Sequence, residues 1–309
     1  VIEDGDTIST DGLVDFKYRD EHTQLTFSAG DVDGKTILTY HDGEGFFTTE
    51  SGKGGEGKII ITTTNRNYPE LVVNVLVCDG SEEYPYIISS ADALSQIGKE
   101  DSKYTTSKSY KLGADIIFPI ADDVSWTPIS SFSGVFDGNF YTISNITITN
   151  ESAPTGMESV GFISTLEKDA VIKNLYIKGL SINVADRANV GSVVGYNKAG
   201  TIQTTEVTGV ISSIKTNLCY VGGIVGRNEA DTTKAHIDRC GFEGKVVVKG
   251  FDDDEEPLNH NQVFGGVAGY NYGGVVSESY FRCVGEGQIS IGTGLFGGIV
   301  GMNEEKDTL

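Results

Sequence analysis

Several residue types that mark common protein classes are scarce in this sequence. Its 309 residues include 6 prolines, 4 cysteines, 4 histidines, 2 methionines and 1 tryptophan. No run approaches the ~18 apolar residues that a membrane-spanning helix needs. Basic residues are few as well, with 23 Lys+Arg against 44 Asp+Glu and a net charge of −21. This balance argues against nucleic acids and anionic membranes as partners, since both attract basic patches.

The motifs of common catalytic sites are also missing. The sequence contains no H-E-x-x-H zinc motif and no G-x-S-x-G nucleophile elbow. Glu206, Asp238 and Glu278 fall at similar places in successive repeats, where stacked carboxylates could support acid–base chemistry or could point to water. We therefore expect a protein that is not an enzyme, with no catalytic residues, no metal and no cofactor.

The cysteines follow no metal-binding pattern. There is no C-x-x-C pair, which argues against a zinc ribbon, and aligning the repeats brings no two cysteines together. We expect buried thiols that act as small apolar groups, with a disulfide as the alternative. The four residues are Cys78, Cys219, Cys240 and Cys283.

Glycine, in contrast, is abundant, and a glycine-containing phrase recurs along the second half of the chain. Its glycines at 161, 191, 222, 265 and 297 are spaced by 30, 31, 43 and 32 residues. A second short β segment follows most copies, at Val171–Gly179, Thr201–Gly209, His236–Gly244 and Val275–Gly285. Two or three β segments in such a period suit one coil of a β-helix, whereas a propeller blade needs four strands.

Each later copy of the phrase ends in asparagine. Asn tolerates left-handed turns, and stacked Asn amides can hydrogen-bond from coil to coil, so we expect a structural ladder. The first copy departs from this pattern, with Glu167 at the matching place. The column consists of Asn197, Asn228, Asn271 and Asn303.

The phrase Gly222-Gly223-Ile224-Val225-Gly226-Arg227-Asn228 and its siblings resemble the GLUG repeat of bacterial surface proteins. That repeat occurs in large exported adhesin-like proteins and in some secreted immunoglobulin A proteases, outside their catalytic parts. The resemblance covers residues 160–303. It implies a right-handed parallel β-helix and an extracellular or cell-surface location, and it says little about a ligand.

Residues 1–79 differ from the repeats. Short alternating runs separated by turns are typical of a small Ig-like β-sandwich. Their order resembles the Bacteroidetes-associated carbohydrate-binding module often found N-terminally in surface enzymes, without its usual mid-domain Trp. The segment Gly52–Lys58 nearly matches a P-loop, but a β run follows it, which favours a glycine-rich turn. The runs are Leu25–Phe27, Thr36–Tyr40, Phe46–Thr49, Lys58–Thr63 and Leu71–Val77.

The second predicted domain, residues 80–309, begins with a polar link. A short helix near 89–98, capped by Ser89 or Ser90, would cover the open end of the β-helix with Ala93, Leu94 and Ile97. The 43-residue spacing holds an acidic run at 252–256, which either binds Ca²⁺ weakly or is a solvated loop. We expect Val1 and Leu309 to be processing boundaries or cuts within a longer reading frame.

The candidate ligand-binding residues are Tyr196, Arg227 and Tyr270, which share one position of the phrase with Met302. If this column faces solvent, its rings and guanidinium suit sugar stacking or a protein contact. If it faces inward, these side chains fill the core or a bend.

The sequence thus predicts an all-β chain: a small Ig-like β-sandwich followed by a capped right-handed parallel β-helix. The expected function is that of a non-enzymatic adhesin-like or scaffold segment at a bacterial surface, binding a glycan or a surface protein. One alternative is a glycan-binding module of a polysaccharide-utilisation system. Another is an accessory region of a larger secreted protease or polysaccharide lyase.

Overall fold

The computed structural model describes residues 1–11, 13, 24–64, 70–120, 125–214, 218–231, 235–249, 262–284, 290–291 and 294–305. The chain divides into two compact units, Val1–Ile87 and Ile88–Leu309. The predicted link after residue 79 belongs to the first unit by its hydrogen bonds. Gly54 N donates to the Asp79 carboxylate at 2.8 Å, and the Tyr86 hydroxyl donates to Asp4 at 2.8 Å.

The first unit consists of two small β-sheets. One has the order β1-β7-β6-β3, with β1 and β7 parallel and the other pairs antiparallel, and the other is the antiparallel sheet β2-β5-β4. The strands are β1 (Ile2–Glu3), β2 (Thr7–Ser9), β3 (Leu25–Gly30), β4 (Leu38–His41), β5 (Phe46–Thr49), β6 (Gly55–Thr63) and β7 (Glu70–Cys78).

The two sheets share one apolar core, so the unit is a β-sandwich. Alternate residues of each strand point inward, and the second sheet contributes Leu38 and Phe47. The first sheet contributes Ile59, Ile61, Val75 and Val77. All five predicted runs form strands. Strand β6 starts at Gly55, inside the P-loop-like phrase, and continues to Thr63, so a turn and a strand occupy this segment, as predicted.

Among its described residues, the second unit holds one helix and the remaining strands. Strand β8 (Tyr86–Ile88) spans the division between the units, and helix α1 (Ala91–Ser95) follows it. The other strands are β9 (Tyr110–Leu112), β10 (Ile116–Ile117), β11 (Ile129–Phe132), β12 (Val135–Asp137), β13 (Thr142–Ser144), β14 (Thr147–Thr149), β15 (Ser159–Val160), β16 (Ile163–Leu166), β17 (Val171–Ala185), β18 (Asn189–Gly191), β19 (Val194–Lys198), β20 (Thr201–Ile214), β21 (Cys219–Gly222), β22 (Val225–Glu229), β23 (His236–Lys249), β24 (Gln262–Gly265), β25 (Ala268–Tyr272), β26 (Val275–Ser277), β27 (Tyr280–Cys283), β28 (Ser290–Ile291), β29 (Gly294–Gly297) and β30 (Val300–Glu304).

These strands form three parallel sheets, and from β15 onward the chain passes through the three sheets in turn. The five-stranded sheet is β15-β18-β21-β24-β29, and the six-stranded sheet is β11-β16-β19-β22-β25-β30. We call the third the long-strand sheet: it runs β26-β23-β20-β17-β12-β9, with β10, β13, β14, β27 and β28 pairing alongside. The predicted parallel β-helix is therefore confirmed. The second segments of the repeats extend further than predicted, for example to Ala185 and Ile214.

In-register stacking forms the core of this unit. Ile172 pairs with Ile202 and Ile202 with Ile237, so one column holds three fully buried isoleucines. Because β-branched side chains pack well on a pleated surface, identical residues on successive coils reinforce one another. A coil alone would expose this column, and its neighbours bury it.

The glycines of the phrase serve close packing between the five- and six-stranded sheets. A Cβ added at Gly226, in the six-stranded sheet, would lie 2.5 Å from Val190 N in the five-stranded sheet. A Cβ at Gly265 would overlap the Ala268 carbonyl oxygen. No real Cβ atom tolerates such distances, so only glycine allows the two backbones to approach this closely.

The asparagine column is a hydrogen-bonded ladder, as predicted. Asn197 Nδ2 donates to Asn228 Oδ1 at 2.8 Å, Asn228 to Asn271 at 2.7 Å, and Asn271 to Asn303 at 2.7 Å. Asn197 Oδ1 also accepts a hydrogen bond from Gly200 N at 2.9 Å, across the turn that follows β19. The prediction for Glu167 is wrong by one residue: Leu166 pairs with Asn197, because the preceding turn is one residue shorter than in the later copies.

Helix α1 precedes the first coil. The Ser90 hydroxyl accepts from Ala93 N at 3.2 Å, which satisfies a free N–H of the first turn, and Leu94 and Ile97 are buried. The helix ends at Ser95, earlier than predicted, and Gly98 adopts a φ of +77°. Ile97 and Gly98 line a cleft with Trp126 and Ile129, which places the helix beside β11.

Two glycines at the same place in the phrase provide a matched test of the packing. A Cβ at Gly266 would overlap the Gly298 carbonyl oxygen, whereas a Cβ at Gly298 meets nothing within 4 Å. We expect Gly266→Ala to lower the free energy of unfolding by about 1–3 kcal/mol, and Gly298→Ala to change it by less than about 0.5 kcal/mol. Urea unfolding followed by circular dichroism measures both, and equal effects would contradict the packing role.

A second test concerns the ladder. Asn228 is buried and joins two neighbours, so Asn228→Ala leaves amide groups of Asn197 and Asn271 unsatisfied. We expect a loss of about 2 kcal/mol or more. Asn303 is exposed and accepts one bond, so Asn303→Ala should cost less than about 1 kcal/mol. A smaller effect at Asn228 than at Asn303 in thermal unfolding would rule out the ladder as a source of stability.

Candidate functional site

The candidate residues lie side by side on the six-stranded sheet. Tyr196 on β19 pairs with Arg227 on β22, Arg227 pairs with Tyr270 on β25, and Tyr270 pairs with Met302 on β30. Their equal place in each repeat therefore becomes a straight column across neighbouring strands. We call Tyr196, Arg227, Tyr270 and Met302 the tyrosine–arginine column.

The guanidinium group of Arg227 lies between two aromatic rings. Its Cζ is 5.1 Å from the centroid of the Tyr196 ring and 5.5 Å from that of Tyr270. A planar cation over ring faces is attracted by the ring quadrupole on both sides. The ammonium group of Lys198 lies 5.3 Å from the Tyr196 ring centroid, so this ring has a second cation near it.

Two carboxylates bind the polar groups of the column. Glu229 accepts from the Tyr196 hydroxyl at 2.6 Å and pairs with Arg227 at 2.6 Å, and Glu304 accepts from the Tyr270 hydroxyl at 2.7 Å. Sequence reasoning missed both. The signal was present, since the position directly after each ladder Asn forms its own register column: Lys198, Glu229, Tyr272 and Glu304.

Burial differs along the column. The Arg227 side chain is 33% exposed, whereas Tyr270 is only 8% exposed. The Tyr220 ring of the five-stranded sheet stacks on Tyr270, with centroids 4.7 Å apart. The column thus combines both alternatives: Tyr270 belongs to the packing of the unit, while Tyr196 and Arg227 keep part of their surface in contact with water.

The surroundings of Tyr196 raise its pKa to about 12, chiefly through burial and then through the hydrogen bond to Glu229. The pKa of Tyr270 is raised by burial and by Glu304. Both hydroxyls therefore remain protonated donors at neutral pH and are engaged by carboxylates. The Nε of Arg227 is buried and has no hydrogen-bond partner among the described residues.

A cleft of about 250 Å³ opens next to Tyr196. Glu167, Lys198 and Glu229 line it, and Lys198 lies 3.6 Å from Glu167. Arg227 and Tyr270 do not line this cleft, so the structure places one candidate residue at its wall and the other two along the sheet. Such a mixed rim of carboxylates, an amine and a ring offers hydrogen bonds to a polar ligand.

Of the two alternatives for Glu206, Asp238 and Glu278, the stacked column does not form. Glu206 pairs with Gly241, whereas Asp238 pairs with Gln203 and Ser277. The three acids fall at similar places in the repeats, but the turns before them differ in length, so the acids do not become register partners. Asp238 instead accepts from the Ser277 hydroxyl at 2.7 Å.

The cysteines form no disulfide. Cys78, Cys219 and Cys240 are buried, as predicted, but Cys283 is exposed, because it lies near the end of β27 on the last coil. Burial raises the pKa of Cys240 to about 12, which keeps its thiol protonated and unreactive.

The acidic run 252–256 lies outside the described residues. Within the described ranges, no three His, Cys, Asp or Glu side chains come together as a metal site. No helix in the part of the chain that the structure describes is long and apolar enough to cross a bilayer.

The tyrosine–arginine column gives a pH prediction. The pKa of Tyr196 is raised in the folded protein, from 10.0 to about 12. Its contribution to stability is therefore fully present below about pH 10 and is lost as pH rises to about 12. We expect Tyr196→Phe, measured by urea unfolding across this window, to lose less stability than the parent chain. An identical loss in both proteins would refute the assignment.

Comparisons with known proteins agree with the repeat architecture. A family model described as the GLUG motif matches residues 217–247. Halomucin from Haloquadratum walsbyi (strain DSM 16790 / HBSQ001) is 31% identical over 161 residues, which are 48% of this chain and 2% of halomucin. Among solved structures, an IgA1 protease aligns over 91% of this chain and 27% of its own, with a TM-score of 0.39 and 11% identity.

These similarities cover different shares of the chains that are compared. The chain spans only a small part of halomucin and about a quarter of the protease chain, and the protease similarity is too low to support an argument. The matched motif, however, falls on β21, β22 and most of β23, and sibling copies of its phrase occupy the neighbouring coils. The resemblance of this chain to proteins with GLUG-type repeats on a β-helix is confirmed.

Proposed function

We propose that this chain is a non-enzymatic, adhesin-like or scaffold segment of an extracellular surface protein, which presents a repetitive β-helix surface to its partners. The observation that carries the proposal is the in-register stacking of the coils. Because each position of the repeat recurs on the next strand about 4.8 Å away, side chains form ordered columns such as Tyr196–Arg227–Tyr270.

Rigidity supports this role. The buried ladder and the glycine packing fix each coil on the next, so the columns keep their spacing without a partner present. A preformed surface avoids the entropic cost of ordering side chains on binding. Weak contacts along such a surface add through multivalency, which suits attachment better than turnover of a substrate.

The GLUG match and the similarity to halomucin support an extracellular location, and the net charge suits a repetitive β protein. A charge of −21 keeps a β-rich repeat protein soluble and limits self-association. The GLUG motif and the partial similarity to halomucin are in keeping with a surface repeat protein.

A second candidate function, that of a glycan-binding module in a polysaccharide-utilisation system, is favoured by the aromatic side chains of the column. The partly exposed rings of Tyr196 and Tyr220 lie close to the carboxylates of Glu229 and Glu304, which can accept hydrogen bonds. Sugar rings combine apolar C–H faces with hydroxyls and fit such surroundings.

Attachment can be tested with beads coated with the folded chain and applied to microbial cells and to polysaccharide films. We expect retention that rises steeply with coating density, as multivalent contact requires. Tyr196→Ala and Arg227→Ala should reduce retention several-fold, whereas Tyr196→Phe, which keeps the ring, should preserve it. Beads coated with heat-unfolded chain are the control.

Two outcomes would count against the proposal. Retention no better than that of the unfolded coat on every surface would exclude attachment. Shortening of a polysaccharide or cleavage of a surface protein by the chain would show an enzyme instead.

A further inference from the structure

A row of side chains on the outer surface of the long-strand sheet has no role in the contacts described above. Thr142, Tyr176, Glu206, Gly241 and Tyr280 pair in sequence across β13, β17, β20, β23 and β27. Both aromatic residues of this row keep part of their surface in contact with water, and Glu206 is exposed.

A glycine leaves space for the Tyr280 ring to lie against the sheet. Tyr280 is 43% exposed, and its ring covers Gly241 on the preceding strand, where any Cβ would collide with it. Burial and the nearby carboxylates of Glu206 and Glu243 raise the pKa of Tyr280. The ring therefore leans back along the sheet towards Glu206 and presents its other side to solvent.

Phe140 extends the row at the opposite end. It is 60% exposed, and its ring centroid lies 6.4 Å from that of Tyr176. Its backbone has a φ of 64°, a left-handed conformation that bulky residues rarely adopt. Phe140 N donates to Asn174 O at 2.9 Å, and this bond holds the turn on the neighbouring strand.

This turn is longer than its counterpart on the next coil. Four residues, Gly138–Tyr141, separate the paired positions Asp137 and Thr142, whereas two residues separate their partners Lys173 and Tyr176. Phe140 lies within this longer turn, where its side chain is exposed. The left-handed backbone of a non-glycine residue costs about 1–3 kcal/mol. An exposed ring buries little apolar surface on folding. Neither the backbone conformation nor the side chain of Phe140 therefore stabilises the fold.

We propose that Phe140, Tyr176, Glu206 and Tyr280 form a binding site for a neutral oligosaccharide. This inference rests on the proposed function, in which the chain presents its β-helix surface to partners. It names the class of ligand and adds a second binding surface, distinct from the tyrosine–arginine column. Strands lie about 4.8 Å apart, so the Phe140–Tyr176 pair and the Tyr280 ring over Gly241 form two stacking platforms about 10 Å apart. Glu206 lies between them.

Each part of this site matches one property of a sugar. The apolar C–H faces of two sugar units stack on the rings, and the Glu206 carboxylate accepts hydrogen bonds from hydroxyls. The ion pair of Arg282 and Glu243 lies beside Tyr280 and offers further donors and acceptors. The net charge of −21 repels polyanionic glycans, which favours a neutral ligand.

The test uses an array of neutral and acidic oligosaccharides, followed by calorimetric titration of those that bind. Phe140→Asn removes the ring but suits the left-handed turn, and Tyr280→Thr keeps a strand-forming residue. We expect each variant to weaken binding by about tenfold or more. Val210→Thr is the matched control, because Val210 is 42% exposed on the same sheet and lies outside the site.

Binding of a neutral oligosaccharide that both variants weaken and the control retains would support the site. Three results would overturn it: no binding of any neutral glycan, selective binding of acidic glycans, or neutral-glycan binding that the variants leave unchanged. Thermal unfolding should show Phe140→Asn to be at least as stable as the parent chain, so lost binding cannot be ascribed to misfolding. Bead retention without any sugar binding would reject this site while leaving the display function intact.

Discussion

The close approach of the five- and six-stranded sheets is the constraint on which the rest of the β-helix depends. Positions such as Gly226 and Gly265 face neighbouring backbone at distances that exclude any side chain. Their spacing in the sequence therefore sets where each coil turns, and the turns set the register of the long-strand sheet. The Asn ladder, the isoleucine column and the tyrosine–arginine column all follow from this register.

Much of this architecture could be predicted from the sequence, because recurring glycine and asparagine residues indicate where the backbone packs closely or turns. Gly222 and Asn228 recur at fixed offsets, and the coils and the ladder follow from that spacing. Contacts between coils were harder to predict. Glu206 and Asp238 stand at similar distances from glycines yet pair with Gly241 and Ser277, since the turns differ in length between coils.

The candidate site shows the same limit. Sequence placed Tyr196, Arg227 and Tyr270 in one column, but it could not show that Glu229 and Glu304 already engage the two tyrosine hydroxyls. A column of polar groups can stabilise the fold and still offer part of its surface to a partner. Tyr270 serves mainly the first purpose, and the partly exposed Arg227 has room for the second.

The asparagine ladder also has a direction. Asn197 donates to Asn228, Asn228 to Asn271 and Asn271 to Asn303, so every side-chain dipole points the same way along the stack. Hydrogen bonds in such a chain polarise one another, and each added coil strengthens those before it. The ladder is thus a polar axis inside an apolar solenoid, and it makes the stability of a coil depend on how many neighbours continue the chain.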